Sequence, residues 1–96
     1  MNKRLTDKNI DELFEAILML ESVEECHSFF EDLCTVSELK SMGQRFEVAK
    51  MLDKNAIYTD ICAKTGASTA TISRVNRSLN YGSDGYRLIL ERLAKK

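Results

Sequence analysis

The sequence contains no proline, and only four of its 96 residues are glycine. Because these two residues most often interrupt helices, their scarcity favours long helices with few breaks. Three of the glycines, Gly66, Gly82 and Gly85, lie in the last third of the chain, and we expect the breaks there. No segment alternates convincingly between apolar and polar residues. The sequence therefore predicts an all-α fold without strands.

Cysteine is sparse, and the three cysteines suit neither a disulfide framework nor a metal site. Cys26, Cys34 and Cys62 are odd in number and lack the spacing of metal-binding cysteines. Cys26 is followed by His27, but adjacent residues point to different faces of a helix, and no second pair completes a site. We therefore expect free thiols in a reducing cytoplasm, with no metal and no cofactor.

Patterns for membrane insertion, export and catalysis are also missing. No apolar run approaches the length of a membrane span, and the charged start of the chain lacks the apolar core of a signal peptide. His27 is the only histidine, and no serine–histidine–acid set, pair of carboxylates or phosphate-binding loop can be read. We therefore expect a cytoplasmic protein that is not an enzyme.

A chain of 96 residues suffices for one small domain, but a helical monomer of this length would be marginally stable. The helical spacing of apolar residues, with capping boxes at Ser22 and Thr35, predicts about six helices. The first is expected to run from Thr6 or Asp7 to about Glu21. The expected parts of the single domain, 1–96, are dimerisation helices at 1–55, a helix-turn-helix at 58–80 and a C-terminal helix at 83–95.

Residues 58–79 have the pattern of a helix-turn-helix, a motif whose second helix enters the major groove of DNA. Gly66 is placed at the turn, because two helices that cross steeply need a residue with positive φ between them. The second helix is expected to end at Asn80–Gly82 in a left-handed conformation, with Ser83 or Asp84 capping the last helix. The positions predicted to be buried are Ile61, Cys62, Ala67, Ile72 and Val75.

The outward face of the second helix is small and polar near its start, so that this end can enter the groove. It consists of Ser68, Thr69, Ala70, Ser73, Arg74 and Arg77. Hydroxyls can donate to phosphates or base edges, Ala70 can meet a thymine methyl group, and arginine can pair with guanine or phosphate. Thr59 and Lys64 are expected to contact phosphates. The alternative is a plain pair of packed amphipathic helices with a glycine between them.

The net charge of −1 conceals an uneven distribution along the chain. Residues 1–34 hold three Lys/Arg and nine Asp/Glu, a net charge of −6, and residues 35–96 hold eleven and six, a net charge of +5. A basic part that carries the helix-turn-helix suits the phosphates of double-stranded DNA. The acidic part is expected to sit away from DNA or to cover a basic or apolar surface of a partner.

The first two helices are rich in apolar side chains for so short a chain. The first carries a wide apolar stripe, and Phe29 and Phe30 follow on the second. These side chains form either an ordinary monomer core or the interface of an interlocked dimer. Marginal monomer stability favours the homodimer, and so does a helix-turn-helix, which typically reads two half-sites.

Two segments resemble the tryptophan repressor. GASTATISRVNRSL is similar to its recognition region, and LCTVSELKSMGQRFEVAKML is similar to the segment before that region. From Leu13 to Leu93 the chain resembles the YerC/YecD branch of that superfamily of bacterial regulators. The resemblance implies six helices intertwined as a homodimer, with the fourth and fifth helices reading operator half-sites.

The resemblance also implies a ligand pocket. Two arginines of the tryptophan repressor enclose the indole ring of its corepressor, and a threonine and a serine lie near the amino-acid end. The matching residues are Thr35, Arg45, Arg74 and Ser78. The repressor has glycine directly after the second arginine, where this sequence has Val75, whose side chain would occupy the space that the ring needs. Tryptophan is therefore not the effector that we expect.

Together these patterns predict a sequence-specific, homodimeric DNA-binding regulator of transcription, with repression as the expected effect. Two alternatives stay open. One is a protein-interaction module on a helix-turn-helix scaffold. The other is a repressor that senses a small molecule other than tryptophan.

Overall fold

A computed structural model describes residues 7–96, and this part of the chain consists of six α-helices and their connections. The helices are α1 Lys8–Ile17, α2 Val23–Leu33, α3 Val36–Asp53, α4 Tyr58–Thr65, α5 Thr69–Tyr81 and α6 Gly85–Ala94. Between residues 7 and 96 there is no strand, as the sequence predicts. None of these helices is long and apolar enough to cross a membrane.

The chain divides into two units, one ending at Leu39 and the other running from Lys40 to Lys96. In the first unit, no residue of α1 or α2 is fully buried. Large apolar side chains are instead open to solvent, with Phe14 56% and Leu18 80% exposed. The expectation of a single domain with dimerisation helices stays a prediction.

The first helix is shorter than the sequence suggests: it ends at Ile17, whereas the predicted end is near Glu21. The backbone N–H of Glu21 donates to the carboxylate of Glu25 at 2.9 Å, and the Ser22 hydroxyl accepts from the Glu25 N–H at 3.0 Å. Glu21 is thus bound to the start of α2 and cannot extend α1. At the other end, Asp7 caps α1 by accepting from the Asn9 N–H at 2.8 Å, whereas Thr6 lies outside the described residues.

The second unit has a buried apolar core. Its members come from α3, α4, α5 and the turn between the last two: Val48, Ala49, Ile61, Ala67, Ile72 and Val75. Asn55, with φ of 64°, ends α3 in the left-handed conformation, and the N–H groups of Asn55 and Ala56 donate to the carbonyls of Leu52 and Met51. This pair of bonds is a Schellman motif, which ends the helix and turns the chain towards α4.

The turn between α5 and α6 differs from the prediction. Gly82 has φ of −86° and is not left-handed, while Asp84 takes the left-handed conformation with φ of 67°. Asp84 stands at the start of α6, but its side chain makes no capping hydrogen bond. Glycine is needed at position 82 for a different reason: a Cβ atom there would collide with the backbone carbonyl of Ser78.

This collision predicts that Gly82→Ala lowers the free energy of unfolding by about 1–3 kcal/mol, because the added methyl group must displace the turn. Gly85→Ala is the matched control, since a Cβ atom there meets nothing within 4 Å and Gly85 lies in a helix. The control should stabilise the protein by about 0.5–1 kcal/mol. Urea denaturation at one protein concentration measures both variants. Equal effects of the two substitutions would contradict the turn geometry.

Candidate nucleic-acid interface

The helix-turn-helix is built around a tight turn at Gly66. This residue has φ of 75°, as the sequence predicts, and its N–H donates to the Cys62 carbonyl at 2.9 Å to close α4. A left-handed residue at this point turns the chain from α4 into α5 within three residues, and glycine adopts this conformation without a steric penalty. α5 then begins at Thr69.

The residues predicted to be buried lie on the inner side of the motif. Ile61, Ala67, Ile72 and Val75 are between 0% and 4% exposed, and Cys62 is partly buried against the same core. Ile72 and Val75 are three residues apart, so they share one face of α5. Their burial fixes which side of α5 faces solvent.

The residues predicted to contact DNA are all exposed: Ser68, Thr69, Ala70, Ser73, Arg74 and Arg77 on or before α5, with Thr59 and Lys64 on α4. Ser68 caps α5, because its hydroxyl accepts from the Thr71 N–H at 3.1 Å. The same hydroxyl lies 3.2 Å from the Thr71 hydroxyl. The contact roles of these eight residues stay predictions.

A hydrogen-bond relay that the sequence analysis missed holds the turn in place. The Gln44 side-chain amide of α3 donates to the Thr65 carbonyl at 3.2 Å. The Thr65 hydroxyl donates to the Ile61 carbonyl at 2.7 Å and accepts from the Ala67 N–H at 3.1 Å. These contacts tie the end of α4 to α3. Gln44 and Thr65 are 21 residues apart, so no local sequence pattern could have paired them.

Two of the four predicted pocket residues, Arg45 and Arg74, line one small cavity. Its other walls come from Ser41, Gln44 and Thr71, and its volume is about 110 Å³. Neither guanidinium forms an ion pair with any residue between 7 and 96. A cavity lined by two arginines, two hydroxyls and an amide offers many hydrogen-bond donors and no carboxylate, which suits a small anion.

The other two predicted pocket residues have different surroundings. Ser78 is exposed on α5 and is not among the residues that line the cavity. Thr35 belongs to the first unit, where its hydroxyl accepts from the Glu38 N–H at 3.0 Å and its own N–H donates to the Glu38 carboxylate at 2.8 Å. These bonds form the predicted capping box of α3. They also lower the pKa of Glu38.

Basic side chains that the sequence analysis did not single out lie near Lys64. Lys50 forms an ion pair with Glu47 at 2.9 Å and lies 5.5 Å from the centre of the Phe46 ring. The hydrogen bond from Lys50 lowers the pKa of Glu47, with smaller contributions from the charges of Lys64 and Lys54. Lys50, Lys54 and Lys64 therefore lie close enough to Glu47 for their charges to act on its carboxylate.

The chain is similar to known proteins along nearly its whole length. The family model described as Trp repressor protein matches residues 8–94. YerC of Bacillus subtilis (strain 168), itself uncharacterized, is 53% identical over 90 residues, which cover 94% of this chain and 86% of YerC.

Solved structures give the same relationship. A crystal structure of a Staphylococcus aureus protein, described only provisionally as a Trp repressor, is 53% identical with a TM-score of 0.90, and the match covers 95% of this chain and 91% of that one. A TrpR-like protein from Eubacterium eligens ATCC 27750 is 59% identical with a TM-score of 0.90, covering 92% and 91%. These matches confirm the all-α fold and the resemblance found in the sequence.

The capping box of α3 predicts a pH-dependent contribution to stability. Because the pKa of Glu38 is lowered in the folded protein, the carboxylate stabilises the fold above the ordinary glutamate pKa. This contribution is lost as the pH falls through the lowered value. Glu38→Gln should therefore lower the urea midpoint most around pH 7, and progressively less as the pH falls through the lowered pKa. The control is Glu15→Gln, an exposed glutamate of α1; a Glu38→Gln effect that did not change with pH would contradict the prediction.

Proposed function

Because the chain belongs to the Trp repressor family, we propose that it is a cytoplasmic, homodimeric regulator that binds specific DNA sequences and represses transcription. The family is one of DNA-binding regulators, not of enzymes. The observation that carries the proposal is the two-sided packing of α5. Its inner face is buried in the core, while the outer face that begins at Ser68 is exposed, small and polar.

In the proposed mechanism, the start of α5 enters the major groove. Ala70 and the hydroxyls around it are small enough to let the helix approach base edges closely, and the thymine methyl group is a partner for Ala70. Arg74 and Arg77 lie one and two turns further along, where guanine edges and phosphates are in reach. Thr59 and Lys64 of α4 contact the DNA backbone and set the register.

The proposed dimer supplies the second half-site. The exposed apolar side chains of α1 and α2, including Phe14, Leu18 and Val23, would leave a large apolar surface in water if the chain were a monomer. A second copy covers them in a symmetric interface. Two copies of α5 then face successive turns of one duplex.

Arg74→Ala and Arg77→Ala should each weaken binding of a selected DNA site by about 1–3 kcal/mol without unfolding the protein. If Arg77 touches a phosphate, its loss also lowers the salt slope of binding by about 0.9 for each contact. Arg92→Ala, which removes an exposed arginine of α6, is the control and should change affinity little. Fluorescence anisotropy with labelled duplexes over a salt series measures all three. Unchanged affinity in both α5 variants would refute this role for α5, and no DNA binding at low salt would favour a protein-interaction module.

The cavity between Arg45 and Arg74 supports a second candidate function, which is control by a small anionic molecule. Its volume of about 110 Å³ is below the roughly 300 Å³ at which pockets for drug-sized ligands begin. Val75 is buried in the core with Ile72 and is not among the residues that line this cavity, so the exclusion of tryptophan by the Val75 side chain stays a prediction.

A thermal-shift screen tests this candidate. Phosphate or a small carboxylate should raise the melting temperature, because a ligand at 100 times its Kd adds about 2.7 kcal/mol of stability. The shift should disappear in Arg45→Ala, while tryptophan should leave the wild-type melting temperature unchanged. An equal shift in wild type and Arg45→Ala would remove the cavity as the ligand site.

A further inference from the structure

One arginine joins three helices of the second unit at the end opposite the Gly66 turn. Arg87, in the first turn of α6, donates through Nη1 to the Asp53 carboxylate at 3.1 Å and through Nη2 to the Asn80 side-chain oxygen at 2.8 Å. Asp53 is the last residue of α3, and Asn80 is the last but one of α5. A single guanidinium therefore links the ends of α3 and α5 to α6.

The orientation of Asn80 is itself fixed. Its amide nitrogen donates to the backbone carbonyl of Asn76 at 2.9 Å and to the Asn76 side-chain oxygen at 3.0 Å. With both amide hydrogens bound to α5, the Asn80 oxygen has one direction in which to accept. The guanidinium holds its donors in a rigid plane, so two acceptors on different helices constrain the angle between those helices.

The surroundings of Arg87 strengthen this constraint. Tyr86, the preceding residue, is partly buried against the core of the second unit. Four residues earlier, Gly82 lies so close to the Ser78 carbonyl that a larger residue would not fit. α6 therefore begins directly after a close turn and with one side chain packed on the core.

We propose that Arg87 is a positioning residue for DNA recognition, which sets the angle of α5 and thereby its discrimination between base sequences. The proposal rests on the proposed function, in which α5 reads base edges. α5 has 13 residues and is about 20 Å long, so a rotation of about 5° at its C-terminal end moves its N-terminal end by about 1.7 Å. A displacement of that size breaks hydrogen bonds to base edges.

The proposal differs from two simpler roles of an arginine at this site. Arg87 and Asp53 are 47% and 39% exposed, and ion pairs as open as this one contribute little to overall stability. A phosphate contact would be made by the positive charge alone, and lysine could replace arginine there. Holding two acceptors in one plane, in contrast, requires the guanidinium itself.

The experiment compares full-length wild type with Arg87→Lys, Arg87→Gln and the control Arg92→Lys. The site is first selected from random DNA, and affinities are then measured for this site and for an unrelated duplex over a salt series. Both Arg87 variants should lower the ratio of specific to non-specific affinity about tenfold, with the non-specific affinity and salt slope of Arg87→Lys unchanged. Arg92→Lys should keep the wild-type ratio.

Two results would overturn the proposal. In the first, Arg87→Lys keeps the wild-type ratio of specific to non-specific affinity, and Arg87→Gln lowers the salt slope by about 0.9 per contact. This result would mean that Arg87 contacts a phosphate of the DNA. In the second, both variants have a lower melting temperature but an unchanged ratio of specific to non-specific affinity. This result would mean that Arg87 contributes to stability alone.

A measurement without DNA separates this proposal from the proposed function. If the wild type binds no DNA, the function is wrong, but residual dipolar couplings still report the angle between α5 and α3. That angle should change in Arg87→Gln and not in Arg92→Lys. An unchanged angle in Arg87→Gln would overturn the positioning role whether or not the protein binds DNA.

Discussion

The burial of one face of α5 is the constraint on which the candidate interface depends. Ile72 and Val75 pack with Ile61 and Ala67 of the neighbouring helix and turn, and with Val48 and Ala49 of α3. A helix whose inner side is held in this way has only one side left for a partner. The small side chains at the start of α5 and its two arginines therefore face solvent. The Gly66 turn, tied to α3 by the Gln44 relay, sets the residue at which the helix can begin.

Charge follows the same division of the chain as the fold. Residues 1–39 carry ten Asp/Glu and three Lys/Arg, a net charge of −7, and residues 40–96 carry five and eleven, a net charge of +6. The basic unit is the one that contains the helix-turn-helix and the lysines near Glu47. The overall charge is near zero only because a basic and an acidic unit nearly cancel. The positive charge of the basic unit attracts DNA phosphates, whereas the negative charge of the acidic unit repels them.

Local sequence patterns predicted much of this structure. Contacts between residues that are far apart in the sequence could not be predicted in this way. The capping boxes at Ser22 and Thr35, the positive φ of Gly66 and the core face of α5 all follow from spacing within one or two turns. The early end of α1 at Ile17 does not follow from spacing, because the apolar stripe continues to Leu20. Gln44 and Arg87 act across 21 and 34 residues, and only the folded chain brings their partners together. The DNA contacts and the dimer remain predictions, because each requires a second molecule in addition to one folded chain.

The most direct test of the account is selection of bound sequences from a random DNA library by the wild-type protein at moderate salt. A dimer that reads DNA with two copies of α5 should enrich a symmetric site, with half-sites whose centres are about 10 base pairs or a multiple of that apart. Sequencing after several rounds reveals both the half-site and its spacing. A library that stays unenriched, although the protein is folded, would contradict the account.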